Sequence, residues 1–457
     1  MNSPLILVTG ATGYIASRLI PRLLNAGYRV RCLAREPFRL KGRAWFRDVE
    51  VIQGDVTIPS TLHAALEGVH TAYYLIHNMT YGHGYTALEL DSARVFASAA
   101  SSAGVEHIIY LGGLADPEGH IAPHMRSRIE TGRVLREGKV PVTEFRAGVI
   151  IGSGSISFEM IRFMTELFPI VPGPLWMKNK TQPIAIQNVI DYLFAALTNP
   201  NGRGGVFEVG GPDITTYGDL MLRYARIRGL KRSMFLLPGV PLWLMALSVG
   251  LMTPVPYPIA FALIGGLSAD SVVKHPEALK VFPEVKLIDF DIATKDAIEK
   301  THPAHIERVW VPGKDIGNLP QNNSDGEFSL KTSEVWTTLK HEGCFVDYRE
   351  KFVHASPDSI IHSINKLKVG QLSIENSSEF AKVISHPQNR PFGEKWIEWR
   401  VGQTVSRIAN PTYLTQTVFF CPHGLLGFLY WYFLYPFHIL NFRGLIKAIA
   451  KQSEIQT

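Results

Sequence analysis

The residues with the clearest capacity for chemistry stand near the N-terminus, where the apolar run Leu5 to Val8 ends in the turn Gly10-Ala11-Thr12-Gly13-Tyr14-Ile15. Gly10 permits a tight turn that a Cβ would obstruct. Gly13 lets the backbone approach a pyrophosphate lying on a helix N-terminus, where unpaired N–H groups and the helix dipole favour anions. Ile15, Leu19, Leu23 and Leu24 recur at helical spacing, so the turn opens an amphipathic helix, and Gly27 is placed to cap its end. Ala16 stands where a third glycine is usual, and its methyl group still allows close helix–strand packing. Pro21 removes one N–H inside that helix and should bend it. Glycines also serve turns that bind nothing. The order of strand, GxxGxxA turn, helix and second strand, Arg29 to Ala34, is nevertheless the arrangement that holds a nucleotide.

Charge bears on which nucleotide. Arg35 follows the second strand where an NAD-preferring protein would carry an acidic residue for the ribose 2′-hydroxyl, and Arg31 lies close by. The pair favours a 2′-phosphate, so NADP(H) is expected in preference to NAD(H); a solvated basic surface is the alternative. Asp55, after VEVIQG, is placed to meet the adenine side, and His77, in the run AYYLIHNM, is a further cofactor-side candidate. His124 and Arg128 stand four apart in HMRSRIETGRVLREG. The imidazole titrates near neutrality and could move a proton, whereas the guanidinium could bond a ribose or phosphate but cannot release a proton. Equally, both could lie on the polar face of a surface helix whose apolar side is Ile129, Val134 and Leu135.

The elements that must position these residues alternate: a strand from Thr71 to Ile76, a helix from about Thr86 to Ala103, a strand from His107 to Leu111, and a sixth strand with its turn from Arg146 to Gly152. Such alternation predicts an α/β fold with a parallel, doubly wound Rossmann sheet. VTGATGYIASRLIPRLLNAG, GDV, AYYLIHNM and AGVEHIIYLGGLAD resemble the atypical, extended branch of the short-chain dehydrogenase/reductase superfamily. PIAIQNVIDYLFAAL and VFEVGGPDITTYGDLM resemble its later, substrate-side elements, so the resemblance covers about the first 300 residues. More narrowly, the chain resembles a bacterial group that carries a C-terminal domain of unknown function. The resemblance implies a nicotinamide cofactor, and the chain departs from it at the chemistry. A typical member has a serine after the fifth strand and a Tyr-x-x-x-Lys pair on the next helix, the lysine lowering a phenol pKa that otherwise lies near ~10. Here those positions read Gly112 or Gly113, His124 and Arg128. Two functions stay open: an NADP(H)-dependent oxidoreductase acting on an apolar carbonyl or alkene, and a non-catalytic, cofactor-sensing scaffold or regulator.

With 457 residues, 46% of them apolar and 19% charged, the chain should hold two or more domains and a large core. The pattern divides it into a nucleotide-binding domain (1–155), a substrate-side extension of the same unit (156–310), a linker (311–342) and a smaller α+β domain (343–457). Three cysteines are too scattered for a zinc site and too few for a disulfide framework, which suits a reducing, cytoplasmic compartment, and no metal is implied. No cleaved signal peptide is expected. The net charge of +6 lacks the dense basic stripe that nucleic acid requires, but it tolerates an anionic membrane surface.

Ser233 to Ala269 contains no charged residue, and its prolines cut it into helical pieces, Leu242 to Met252 and Ile259 to Leu267, each too short to span a bilayer. They could cover an apolar substrate cleft, dip into a membrane interface, or be buried core. The C-terminal order, CFVDYREKFV, a helix begun by Ser356-Pro357-Asp358, KWIEWRVG, YLTQTVFF and a last aromatic helix, resembles the START-like fold. From Thr417 to Phe442 there is no Asp, Glu, Lys or Arg, and Pro422 and Pro436 leave 13 residues between them. This favours a shallow, in-plane helix at a membrane surface, with Arg443, Lys447 and Lys451 at steps of four to meet anionic lipid. The alternative is a helix that closes the C-terminal domain.

Overall fold

The structure, a computed structural model, describes residues 3–40, 43–76, 85–116, 118–119, 121–252, 257–300, 336–341, 344–367, 371–376, 380–386, 388–390, 392–403, 412–422 and 424–455. His77 and most of the expected linker lie outside these residues. Contacts group Met1–Thr165 with Pro169–Glu299 into one unit, and Lys300–Thr457 falls in a second.

The first unit is built on the alternation β1 (Leu5–Thr9), α1 (Tyr14–Asn25), β2 (Arg29–Ala34), β3 (Glu50–Gln53), α2 (Pro59–Leu66), β4 (Thr71–Tyr74), α3 (Tyr85–Ser102), β5 (His107–Gly113), α4 (Pro123–Arg136) and β6 (Val142–Ala147). With the edge strand Val206–Val209 these form a seven-stranded parallel sheet in the order edge strand, β6, β5, β4, β1, β2, β3. Side chains alternate across it. Ile6 and Val8 enter one core with Leu19 and Leu23 of α1, and Leu5 and Leu7 enter the other with Leu62, Leu66 and Phe96. Both faces are covered, which is why the strands read as continuous apolar runs. The strand order reverses between β1 and β4, so the crevice at that point lies outside the carboxyl ends of the strands.

β6 starts at Val142, earlier than the Arg146 start read from the sequence. Glu144 and Arg146 disguise it as a polar segment. In the fold the Glu144 carboxylate is fully buried between the guanidiniums of Arg136 and Arg146. Gly132 on α4 leaves the space, since a Cβ there would overlap that carboxylate.

Beyond β6 come α5 (Ile156–Leu167), α6 (Ile186–Ala195), α7 (Tyr217–Ile227), α8 (Leu242–Met252) and α9 (Tyr257–Gly266). α8 and α9 pack against each other, and α9 also packs against α4.

The second unit is an antiparallel sheet in the order Trp336–His341, Cys344–Val353, Thr412–Pro422, Gly393–Gln403, Phe380–Ser385, Leu372–Asn376. The first of these strands occupies the end of the stretch read as linker, where hairpin pairing with Cys344–Val353 orders it. Helix Pro357–Lys366 starts from Ser356, whose Oγ accepts the Ser359 N–H.

The last helix, Gly424–Ile455, runs unbroken through Pro436. One face of the helix is anchored on both sides of Pro436. Trp431 stacks on Phe345 and Phe420 with ring centroids 5.2 and 5.3 Å apart, and Gln416 Nε2 donates to the Phe442 carbonyl at 3.0 Å. Packing of this kind outweighs one lost backbone hydrogen bond. The opposite face exposes Leu426, Leu429, Phe433, Phe437 and Leu440, with Phe433 80% accessible. No helix among the described residues is long and apolar enough to cross a membrane.

Cys421 is disulfide-bonded, which removes the cysteine argument for a reducing compartment. Sequence distance between cysteines says little about their proximity across antiparallel strands. Cys32 is a free thiol in the core of the first unit, and burial pushes its pKa up to about 12.

His107, at the start of β5, is buried with Nε2 2.8 Å from Thr143 Oγ1. The Thr143 hydroxyl proton goes to the Gly202 carbonyl, so the imidazole Nε2–H donates to Thr143. Burial, with Arg203 nearby, lowers its pKa to about 4. The unfolded chain, with a histidine pKa near ~6.5, therefore binds more protons between the two values. The histidine's contribution is present at neutral pH and is lost as the pH falls from about 6.5 towards 4. Urea unfolding at pH 7 and pH 4 should show a loss of up to about 3 kcal/mol from this residue. His107→Gln should flatten that dependence; an unchanged pH profile would contradict the assignment.

Candidate functional site

Gly10 has φ +64°, and a Cβ there would lie 2.6 Å from the Leu75 carbonyl oxygen, so the turn after β1 closes on the backbone that follows β4. Gly13 is the N-cap of α1, and a Cβ there would meet the Gly10 carbonyl at 2.9 Å. No side chain caps the helix and no acidic residue stands in its first turn. Ala11 and Ala16 are buried, while Thr12, Tyr14 and Ile15 are half-buried. A backbone cradle that side chains would fill, at a helix N-terminus that no side chain caps, fits an anionic diphosphate.

Arg35 follows the C-terminal end of β2 and is exposed; its carbonyl accepts from Gln53 Nε2 at 3.4 Å. Arg31 does not share that position, contrary to the sequence reading. It sits mid-strand opposite Leu7 and Glu50, donates from Nε to Glu50 at 2.8 Å, and from Nη1 to the carbonyls of Ala65 and Glu67 at the end of α2. Its guanidinium is therefore committed, and it holds the Glu50 carboxyl below the usual range. Asp55 follows β3, and its Oδ1 accepts the Thr57 N–H and hydroxyl, both at 2.9 Å, fixing the turn into α2.

On the other side of β1 a cavity of about 310 Å³ opens beside the start of α1. Tyr14, Ile15 and Leu75 border it at the nucleotide turn, Gly113 at the end of β5, and His124, Met125 and Arg128 on α4. Its body is apolar: Met160 and Met164 of α5, Met177, Met221 of α7, Met245 of α8, and Leu263 and Ile264 of α9. Methionine fills irregular space and adapts to different shapes. The polar side chains in the wall are largely engaged. Ser155 donates to the Ile150 carbonyl at 2.7 Å, Ser271 to that of Leu114 at 2.9 Å, and Asp270 accepts the Lys180 N–H at 2.7 Å. Burial pushes the Tyr217 phenol up to about 12, so it stays protonated.

His124 is 5% exposed, and its ring abuts Gly266 of α9, where a Cβ would lie 2.9 Å from Cε1. The solvated-helix alternative therefore fails for His124, because α9 covers the face on which it stands. Arg128 is half-buried and donates from Nη2 to the Leu111 carbonyl at 3.0 Å. Of the two glycines at the family's serine position, Gly113 faces the cavity. A Cβ there would meet Met125 Cε at 2.7 Å and Arg128 Cδ at 3.3 Å, while Gly112 faces Glu144 and Tyr110. The fold thus gathers Tyr14, Ile15, Gly113, His124 and Arg128 around one cavity. Arg35 and Asp55 stand along the same sheet edge on the far side of β1.

Sequence reasoning did not find the methionine wall. Its members are scattered from Met125 to Met245 on different elements, and no local pattern connects them.

Residues 2–206 match the NmrA-like family, and residues 378–445 match a family described as a protein of unknown function, DUF2867. A (4-alkanoyl-5-oxo-2,5-dihydrofuran-3-yl)methyl phosphate reductase of Streptomyces griseus is 30% identical over 237 residues, which are 49% of this chain and 74% of that protein. A ceramide reductase of Caulobacter vibrioides is 27% identical over 241 residues, 51% of this chain and 73% of the relative. The solved triphenylmethane reductase of Citrobacter sp. in complex with NADP(H) shares the fold over 64% of this chain and 99% of its own, at 20% identity and a TM-score of 0.53. The chain belongs to the NmrA-like family.

Proposed function

We propose that the protein is an NADP(H)-dependent reductase of an apolar carbonyl or alkene. The observation that carries this reading is the methionine-lined cavity that begins at the nucleotide turn and has His124 in its wall. The names of the relatives, reductases among them, support it. In this reading the backbone from Gly10 to Ile15 holds the pyrophosphate, and Arg35 meets the 2′-phosphate, giving NADP(H) preference over NAD(H). When bound, the dinucleotide supplies a hydride. His124 gives the matching proton to the reduced substrate, and Arg128, tied to the Leu111 carbonyl, orients cofactor or substrate oxygen beside Gly113. The apolar wall excludes water and selects substrates without charge.

A cofactor-sensing scaffold is the second reading. The crowding of Gly113 by Met125 and Arg128 favours it, because the family's serine hydroxyl has no room there. We read the C-terminal unit as START-like, on the strength of its antiparallel sheet and its long last helix. We place that helix at a membrane surface: its exposed stripe from Leu426 to Leu440 runs on into Arg443, Lys447 and Lys451, all exposed.

Calorimetric titration should give tighter binding of NADPH than of NADH, and Arg35→Ala should reduce the preference by roughly tenfold or more, the worth of a charge-assisted contact. Equal affinities in the unmodified protein would refute the role of Arg35. His124→Ala should lower turnover by about a hundredfold or more while leaving NADPH affinity within a few-fold, as expected of a proton donor; unchanged turnover would place the donor elsewhere. For the last helix, Phe433→Asp with Phe437→Asp should move the chain from the membrane pellet to the supernatant in cell fractions. An unmodified protein found wholly in the supernatant would rule out that attachment.

A further inference from the structure

We propose that α8 and α9 are a bilayer-facing wall of the cavity, through which a lipid-soluble substrate passes from an anionic membrane into the site. The substrate half of this proposal rests on the reductase reading above.

The two helices are apolar on both sides. Met245 and Val249 of α8 and Ile264 of α9 line the cavity, while Trp243, Leu244, Leu247, Tyr257 and Phe261 face outward and are exposed, Trp243 by 55%. A helix covering a cavity from water ordinarily carries a polar outer face; an apolar one on both sides is suited to hydrocarbon. The outer apolar surface continues into the strand Ser233–Leu237, where Phe235 is 58% exposed and Leu237 is also exposed, while Met234 and Leu236 turn inward to Gly218 and Gly173.

Charge identifies the occupant. Between Asp219 and Asp270 the chain has five cations and no acidic residue; of the five, Arg223 pairs with Asp213 and Asp291, and Arg232 donates to the Thr165 carbonyl. Arg226, Arg228 and Lys231 of that group are exposed where the charge-free stretch begins. Exposed cations at the start of an apolar ridge that bears tryptophan and tyrosine match the headgroup and acyl layers of an anionic bilayer in turn. The ridge offers a protein partner few polar groups, the Trp243 indole and the Tyr257 hydroxyl. The one hydroxyl of α8, Ser248, donates back to the Met245 carbonyl at 2.7 Å. A cavity separated from lipid by these helices receives its substrate without that substrate crossing water.

Trp243 is the natural reporter: among the described side chains it is the exposed tryptophan, while Trp176 is half-buried and Trp45, Trp396, Trp399 and Trp431 are buried. The full chain is mixed with vesicles of phosphatidylcholine and phosphatidylglycerol brominated in their acyl chains. The expected result is quenching of tryptophan emission that largely disappears in Trp243→Phe and is much weaker with phosphatidylcholine alone. Quenching that is absent, or equal in Trp243→Phe, overturns the docking, and absence with both vesicles points to a protein occupant. Quenching that does not depend on the anionic lipid overturns the role of the cations. For access, Trp243→Asp with Leu247→Asp should cut NADPH oxidation with a vesicle-borne long-chain carbonyl by about tenfold or more, the effect of a polar group at an interface. Oxidation with a short, water-soluble carbonyl and NADPH affinity should stay unchanged, which also shows that the variant is folded. Equal losses with both carbonyls overturn access through this wall. If neither carbonyl supports NADPH oxidation in the unmodified protein while Trp243 quenching persists, the reductase reading and the access half fall and the docking stands.

Discussion

The approach of Gly10 to the Leu75 carbonyl is the constraint on which the rest of the first unit depends. It joins the end of β1 to the backbone after β4 at the point where the strand order reverses, and it admits no side chain. From that contact α1 starts with its first N–H groups directed along the carboxyl edge of the sheet. β2 and β3 then lie to one side of the turn with Arg35 and Asp55. β4, β5 and β6 lie to the other, with the cavity. A dinucleotide is long enough to use both sides, and the proposed assignment of its two halves follows the asymmetry of the edge, charged on one side and apolar on the other.

Chemistry on the apolar side depends on what is missing as much as on what is present. Gly113 and Gly266 withhold side chains on either side of His124 and Arg128, and each of the two takes space that a Cβ would have filled. At the positions the family resemblance points to, glycine stands for the serine, His124 for the tyrosine and Arg128, bonded to the Leu111 carbonyl, for the lysine. The same economy appears in the buried charge cluster beneath α4, where Gly132 makes room for Glu144. Removing a partner from a buried charge is costly, so this cluster ties the position of α4, and with it His124, to β6.

The parts legible in the sequence were the local ones. The turn from Gly10 to Ile15, the parallel order of strands and the limits of α8 follow from a few adjacent residues, and glycine spacing, the alternation of strands with helices and the prolines located them. Arg31 was misread because a strand rises about 3.3 Å per residue: four residues before Arg35 it lies some 13 Å back from the edge, where Glu50 and the end of α2 claim it. β6 was hidden by two charges whose partners come from a helix before it and from its own strand. The stacking of Trp431 on Phe345 and Phe420, which holds the last helix through Pro436, joins residues far apart in the chain and leaves no local pattern. The cavity is illegible for the same reason, since each methionine is an ordinary core residue until the fold sets them together.

The central claim is that the nucleotide turn and the apolar cavity form one site. A crystal structure with NADP⁺ bound tests it most directly. The account predicts the pyrophosphate on the backbone from Gly10 to Gly13, with the nicotinamide ring opening into the cavity near Gly113 and His124. A nicotinamide turned away from the cavity, or a pyrophosphate bound away from that turn, would contradict it.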